Sequence, residues 1–174
     1  MTTTNINYEP IMNWAKLPMG ISFYGDCAAV ATDSKDNVYV FNRGTDPVCV
    51  FDESGNFIRS FGKGDFDGAH GITLDAEDNI YLVDTGGHFV QKRDNDGKVI
   101  FTIGERGKPS AWQEGDMFNR PTDIIVHPKQ VNYLFQMDME IQEFTNYLQM
   151  ESILKVGEFL EPIMESFLCL IVFQ

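Results

Sequence analysis

A repeat of 42 residues constrains this chain more than any other feature of its sequence. Residues 70–107 form the best-defined unit, and a weaker copy lies immediately before them. The matched pairs keep this spacing without a gap; they are Asp33/Asp75, Asn37/Asn79, Val38/Ile80, Asn42/Asp84, Asp52/Asp94, Gly55/Gly97 and Gly62/Gly104. A period near 40 residues with several short strands per unit is typical of propeller blades. The repeat therefore predicts an all-β fold made of blades.

Each unit divides into four short apolar runs separated by turn residues. The predicted strands are 27–31, 38–41, 48–51 and 57–61 in the first unit, and 71–74, 80–83, 89–93 and 99–103 in the second. The segments DSKDN (33–37) and ESGN (53–56) are rich in Asp, Asn and Gly, which favour tight turns. The chain is therefore predicted to contain two complete four-stranded blades.

A third repeat starts at residues 120–128, after an insert of about ten residues at 108–117 (KPSAWQEGDM). Ile124 corresponds to Ile72, so the step is 52 residues instead of 42. Loops of this kind stand at one end of a propeller and often carry function. We expect an incomplete propeller that consists of two full blades and the start of a third.

The repeat pattern stops after Pro128. The expected turn is absent, and Met137, Ile141, Phe144 and Leu148 have partly helical spacing instead. We expect an N-terminal arm at 1–18, propeller blades at 19–128 and a non-repeat tail at 129–174. The tail is either an amphipathic helical replacement or disordered, or the product of a truncated or altered reading frame. The last is favoured because the change falls inside a repeat.

Composition limits the possible partners. The formal net charge is −13, with 13 basic and 26 acidic residues. Since no basic cluster is present, we expect no nucleic-acid partner and no membrane partner. The three cysteines, Cys27, Cys49 and Cys169, have no CxxC spacing and favour a reduced compartment. No secretory signal is visible, and the apolar stretch 167–173 is too short to span a bilayer, so a cytoplasmic location is expected.

Two segments of the second repeat resemble the signature of NHL repeats, which build six-bladed propellers. They are IYLVD (80–84) and GHFVQ (87–91). Gly87 stands where that family usually has the Asn of its signature, and Phe89 stands in place of the third residue of the signature. More narrowly, residues 8–128 resemble the peptidyl-α-hydroxyglycine α-amidating lyases and their bacterial NHL relatives. The motifs that carry this resemblance are VYVFNRG (38–44), AHGI (69–72) and FNRPTD (118–123).

The resemblance implies a zinc lyase that cleaves a hydroxyglycine-extended peptide into an amide and glyoxylate. In that family three histidines from different blades hold the metal, and an arginine and a tyrosine flank the substrate. By motif, His70 matches the first zinc ligand, Arg43 the active-site arginine, and Ile72 a residue whose backbone carbonyl faces a structural calcium. The other two histidines, the tyrosine and the calcium aspartate belong to later blades, and this sequence has no counterpart for them.

Each candidate residue also has a structural interpretation. His70 opens an innermost strand, where it either binds zinc or is a partly exposed strand-end histidine. Arg43 either holds a substrate carboxylate or forms a salt bridge with Asp46 or Asp84.

The remaining candidates are weighed in the same way. His88 is expected to be structural, with hydrogen bonds within or between blades, and His127 to be an exposed turn residue. Trp112 in the insert either covers a ligand or anchors its loop. The recurring aspartates 33, 52, 75 and 94 are expected to form turns rather than to act as acids or bases.

Two functions remain open. The first is an amidating-lyase-like metalloenzyme that uses His70 and Arg43. The second is a non-catalytic NHL module that binds a small peptide or a protein through its blade faces and the 108–117 insert. An unclosed propeller would also leave open blade edges, which predicts self-association.

Overall fold

The computed structural model describes residues 8–23, 25–109, 118–126 and 133–137, the last segment by its backbone alone. All regular elements in these ranges are β-strands. They are β1 (Cys27–Thr32), β2 (Val38–Asn42), β3 (Val48–Phe51), β4 (Phe57–Phe61), β5 (Ala69–Leu74), β6 (Ile80–Asp84), β7 (Phe89–Arg93), β8 (Val99–Gly104), β9 (Pro121–Val126) and β10 (Tyr133–Met137). The predicted all-β class is confirmed, and the first eight strands begin and end within two residues of their predicted bounds.

The strands form three antiparallel sheets that follow the sequence repeat. Two are four-stranded, in the orders β1-β2-β3-β4 and β5-β6-β7-β8, and the third pairs β9 with β10. β1 lies beside β5, and β5 lies beside β9. The first strands of the three sheets are therefore neighbours, and we call them the inner strands. The described residues thus form part of a β-propeller, with two full blades and the start of a third, as the repeat predicted.

The repeated aspartates form the turns of each blade. Asp33 Oδ1 accepts hydrogen bonds from the amides of Lys35 and Asn37, both at 2.9 Å, and Asp33 Oδ2 accepts one from Asn37 Nδ2 at 2.8 Å. Asp75 and Asn79 repeat this arrangement one blade later. A side chain that satisfies the turn amides favours the tight reversal between two strands. The prediction that these aspartates form turns is confirmed.

Two apolar interfaces hold the sheets together. One face of the first blade buries Tyr39, Phe41, Val48 and Val50, and the second blade adds Ala69, Ile72, Ile80 and Leu82 to the same cluster. The opposite face of the second blade contributes Tyr81, Val83 and Val90, which pack with Phe118 and Ile124 next to the third sheet. Because each blade uses alternate residues of its strands on its two faces, the stack has a continuous apolar interior.

Phe66, in the connection between β4 and β5, closes the first interface. Its ring packs edge-on against Phe41, with centroids 5.0 Å apart, and stacks with Phe89 at 6.0 Å. The Arg93 guanidinium lies 5.1 Å from the centre of the same ring. The β4–β5 connection therefore contributes to the apolar core in addition to linking the two blades.

The range 129–174, predicted as a non-repeat tail, contains β10. This strand pairs with β9 in antiparallel register, with Leu134 opposite Ile125, as the second strand of a blade pairs with the first. The pairing reaches Met137, where the sequence suggested helical spacing, because the free edge of β9 offers backbone partners to an adjacent chain segment. The predictions for residues 138–174 lie outside the described residues. In the described part of the chain, no helix is long and apolar enough to cross a membrane.

Candidate functional site

The connections between blades and the β2–β3 and β6–β7 turns lie at one end of the stack. This follows from the strand directions, since neighbouring strands of each sheet are antiparallel. At this end, Arg43 directly follows β2, His70 and Asp123 lie on the inner strands β5 and β9, and Asp26 precedes β1. These four residues form the candidate site.

Arg43 is fixed at two of its nitrogens. Its Nε donates to the carbonyl of Ala69 at 3.1 Å, and Nη1 forms a salt bridge with Asp26 Oδ2 at 2.9 Å. The Arg43 side chain remains 42 % exposed. Arg43 therefore joins the two blades through the residue that precedes His70, while part of its guanidinium faces solvent.

The carboxylate beside Arg43 differs from the two that the sequence suggested. Asp46 Oδ1 accepts a hydrogen bond from Ser60 Oγ at 3.1 Å instead. Asp84 is fully buried and accepts hydrogen bonds from the amides of Asp67 and Gly68. Asp26 was not singled out, because its approach to Arg43 depends on how the chain enters β1 and leaves no sequence pattern.

His70 is oriented by the third sheet. Its Nδ1 lies 2.8 Å from the carbonyl oxygen of Thr122 in β9, and the ring is partly buried. A carbonyl can only accept, so Nδ1 carries a proton, and in the neutral imidazole the lone pair is on Nε2. Histidines that bind metals commonly donate their second ring nitrogen to a backbone carbonyl in this way.

The Asp123 side chain packs against Gly71, the residue that follows His70. A Cβ on Gly71 would lie 2.7 Å from Asp123 Oδ1, so only glycine permits this approach of β9 to β5. Burial of the carboxylate raises the pKa of Asp123, and the amide of Ile124 and the nearby His70 partly offset that rise. Asp123 as a whole is nonetheless an exposed residue, so this desolvation is partial. A carboxylate and a histidine thus adjoin on neighbouring inner strands.

The described residues do not complete a metal site. Across the described ranges, no group of three or more His, Cys, Asp and Glu side chains is arranged to hold a metal ion. Ile72, the predicted calcium carbonyl residue, is buried in β5 opposite Leu82. Its proposed role stays a prediction.

The other histidine of the described chain connects the second blade to the third sheet. His88 Nδ1 accepts a hydrogen bond from the amide of Arg120 at 3.0 Å, and the residue has a positive φ of 63° in the β6–β7 turn. The predicted structural role of His88 agrees with this contact. His127 and Trp112 lie outside the described residues, as do residues 110–117 of the insert.

A concavity of about 200 Å³ lies on the outer part of the second blade, away from the candidate site. Arg93 and Arg106 line it, but both are paired with acids: Arg93 with Asp65 at 2.6 Å and Arg106 with Asp67 at 2.5 Å. Arg106 holds the pKa of Asp67 below its usual value. Both arginines are engaged at all three of their nitrogens, and they stabilise the connection between the blades.

The fold and the site define a β-propeller protein with a polar inner end. No protein-family model matches the sequence, and no match is found among curated proteins. A virginiamycin B lyase structure from Staphylococcus aureus has 17 % identity and a TM-score of 0.47, covering 62 % of this chain and 33 % of that one. A structural genomics protein of unknown function from Bacteroides thetaiotaomicron has 19 % identity and a TM-score of 0.50, covering 65 % of this chain and 30 % of that one.

The chain spans about a third of the length of these two solved proteins. At such identities, the likeness to the Bacteroides structure concerns the fold alone. The neighbouring strands, the glycine contact and the oriented histidine are therefore the basis for any functional proposal.

Proposed function

We propose that this chain contributes one metal ligand and one substrate-binding residue to an amidating-lyase-like site, with His70 as the ligand and Arg43 as the binding residue. The observation that carries the proposal is the hydrogen bond from His70 Nδ1 to the carbonyl of Thr122, which leaves Nε2 as the nitrogen that bears the lone pair when the imidazole is neutral. A neutral imidazole with one engaged nitrogen has the chemistry of a zinc ligand.

The residues fit zinc only in part. His70 offers one donor, with Asp123 beside it on the next inner strand, whereas catalytic zinc sites have three protein ligands and an open position. The remaining ligands would have to come from outside the described residues or from another chain. Zinc, when bound, would act as a Lewis acid toward substrate oxygen.

Arg43 would bind and orient the substrate. An exposed guanidinium that is already fixed at Nε and Nη1 can accept a carboxylate without a further loss of its own freedom. In the proposed reaction the carbon–nitrogen bond of a hydroxyglycine unit breaks. The hydroxyl proton is lost, the amide nitrogen gains a proton, and glyoxylate leaves with its carboxylate near Arg43. Calcium at the Ile72 carbonyl would be structural in this proposal.

Zinc titration of the whole chain, followed by NMR of the histidine rings, tests the metal assignment. We expect the His70 ring signals to shift or broaden, while the His88 signals stay in place as an internal reference because its Nδ1 is occupied by Arg120. In His70→Ala, zinc affinity is expected to fall at least tenfold. Equal zinc affinity of both proteins would refute the assignment. Glyoxylate release from a hydroxyglycine peptide, with and without zinc, tests the activity.

A non-catalytic binding module is the second candidate, and the Arg43 geometry favours it independently of any metal. Such a module would bind the carboxylate of a small peptide or protein at Arg43, with Trp112 of the insert covering the ligand. Peptide binding that survives removal of zinc by a chelator, and is lost in Arg43→Gln and Trp112→Ala, would support the module over the lyase. Binding that requires zinc would exclude it.

A further inference from the structure

The two faces of each blade have different partners, and the repeat identifies which face meets a preceding blade. In the second blade, Ile80 and Leu82 point toward the first blade and share its apolar cluster. One repeat earlier, the same positions are Val38 and Val40. Gln91 and Arg93, on β7 of the second blade, correspond in the same way to Cys49 and Phe51 on β3 of the first blade. The face of the first blade that carries these residues is therefore equivalent to a blade-docking face.

This face is apolar and covered. Val40, Cys49 and Phe51 have relative exposures of 6 %, 0 % and 0 %, and they form a cluster separate from the core between the blades. The cover comes from residues 14–23, which we call the cap segment; Trp14, Ala15, Ile21 and Phe23 pack on the cluster. The rings of Trp14 and Phe23 lie 5.8 Å and 5.9 Å from that of Phe51.

The cap segment is fastened at the β3–β4 turn. The Lys16 amide donates to the carbonyl of Gly55 at 2.8 Å, and Lys16 Nζ donates to Asn56 Oδ1 at 2.8 Å. The Trp14 indole donates to the Glu53 carbonyl at 3.2 Å. Of these contacts, those of the two side chains are solvent-exposed. A few exposed hydrogen bonds and a short segment are features of a unit that opens locally, before the sheets separate.

A propeller blade makes the corresponding contact within this chain. Arg59 of the first blade contacts the carbonyl of Asn95 in the β7–β8 turn, and Asn95 lies one repeat after Glu53, the residue that Trp14 contacts. The cap segment thus occupies the place that a preceding blade would occupy. The interface between the first and second blades uses the same repeat positions as the face under the cap segment. It shows that a propeller blade is the kind of surface that fits this face.

We propose that the cap segment is a removable cover over a blade-docking face, and that the uncovered face binds a propeller blade of a second copy of this chain. The contact would be heterologous, because the docking face lies at one end of the stack and the third sheet at the other. Displacement of the cap would therefore change the oligomeric state, and a closed cap would prevent association at this face.

Alkylation of Cys49 reports the cap directly, since the thiol lies beneath it with no exposed surface. The experiment uses the full chain with Cys27→Ser and Cys169→Ser, so that Cys49 is the single thiol. In Trp14→Ala we expect iodoacetamide to react at least tenfold faster than in the matched control Tyr8→Ala, an aromatic residue that is 88 % exposed. Equal rates in the two variants would overturn the proposal.

The protein with Trp14 intact provides a second test, which does not depend on whether the Trp14→Ala variant folds. If the cap opens locally, the alkylation rate at low urea will depend weakly on urea concentration. A dependence as steep as that of global unfolding would show that Cys49 is exposed only by unfolding, and would refute the removable cap.

Sedimentation velocity tests the partner. Trp14→Ala is expected to associate as its concentration rises, and excess synthetic peptide of residues 8–23 is expected to return it to the monomer. A variant that exposes Cys49 yet stays monomeric at every concentration would overturn the docking half of the proposal. So would association that the peptide does not reverse.

Discussion

Asn42 and Asp84 occupy the same position of successive blades, but Asn42 both donates to and accepts from neighbouring backbone groups, whereas Asp84 only accepts. Asn42 Nδ2 donates to the carbonyls of Asp46 at 2.9 Å and Pro47 at 3.0 Å. Asp84 accepts from the amides of Asp67 at 2.6 Å and Gly68 at 2.7 Å, which belong to the connection between the blades, and from Gly87 at 2.8 Å. Both residues are fully buried.

The exchange Asp84→Asn is therefore expected to destabilise the protein although it conserves side-chain size. The new NH₂ group would face at least one backbone amide, and a buried donor without an acceptor costs about 1–3 kcal/mol. Urea unfolding measures the loss. Asp36→Asn, at an exposed turn position, is the control and is expected to change stability by less than about 0.5 kcal/mol. A loss no larger than in this control would contradict the assigned hydrogen bonds.

Asp75 is expected to contribute more to stability than Asp52, although both end a strand with the same turn. Asp75 also accepts a hydrogen bond from Tyr81 and a 3.0 Å salt bridge from Lys92, and its side chain is only 8 % exposed. The change Asp75→Ala is expected to cost about 2–3 kcal/mol, since hydrogen bonds to charged groups are worth about 1.5–3 kcal/mol. Asp52→Ala serves as the matched exposed control and is expected to cost less. Urea unfolding of both variants checks the order.

The contribution of Asp75 is also expected to depend on pH. Burial alone would raise the pKa of Asp75, but hydrogen bonds from Asn79 and Lys92 more than offset it and lower the pKa overall. A lowered pKa in the folded state means that the stabilisation is fully present above the unfolded pKa of about 3.9 and is lost as pH falls through the folded value. The stability difference between the unchanged protein and Asp75→Ala should thus be constant near pH 6 and narrow below pH 4. A difference that stays constant down to pH 2 would contradict this.

Gly55 and Gly64 allow the cap contact to be separated from backbone strain. Both have a φ of +78°, but a Cβ on Gly55 would lie 1.9 Å from the Trp14 carbonyl oxygen, whereas a Cβ on Gly64 would have nothing within 4 Å. Gly64→Ala is expected to lose only the cost of a left-handed residue, about 1–2 kcal/mol. Gly55→Ala is expected to lose more and to speed alkylation of Cys49. Equal losses in thermal or urea unfolding would mean that the cap segment does not pack tightly on this turn.

The strands were predictable because their signals are local. Apolar runs between Asp-containing turns, repeated after 42 residues, determine where each of the first eight strands begins and ends. β10 was missed because its turn lacks the repeated Asp, so the pairing depends on the edge of β9 and not on a local motif.

The site was less predictable because it depends on register between blades. His70 and Arg43 could be singled out by motif, whereas their partners Thr122 and Asp26 follow from how the third sheet and the entry to β1 are placed. Asp123 can lie this close to His70 only because residue 71 is glycine. Such long-range contacts leave no spacing that a single sequence displays.

His70 and His88 are expected to adopt opposite neutral tautomers. His70 donates from Nδ1 to the Thr122 carbonyl, while His88 accepts at Nδ1 from the Arg120 amide and must carry its proton on Nε2. Two-bond ¹H–¹⁵N correlation spectra at neutral pH distinguish the two forms by the shifts of the ring nitrogens. His70 is expected to show a protonated Nδ1 and a lone pair on Nε2, the form that can bind a metal through Nε2. If His70 instead carries its proton on Nε2, the contact to Thr122 is absent in solution and the ligand assignment loses its structural basis.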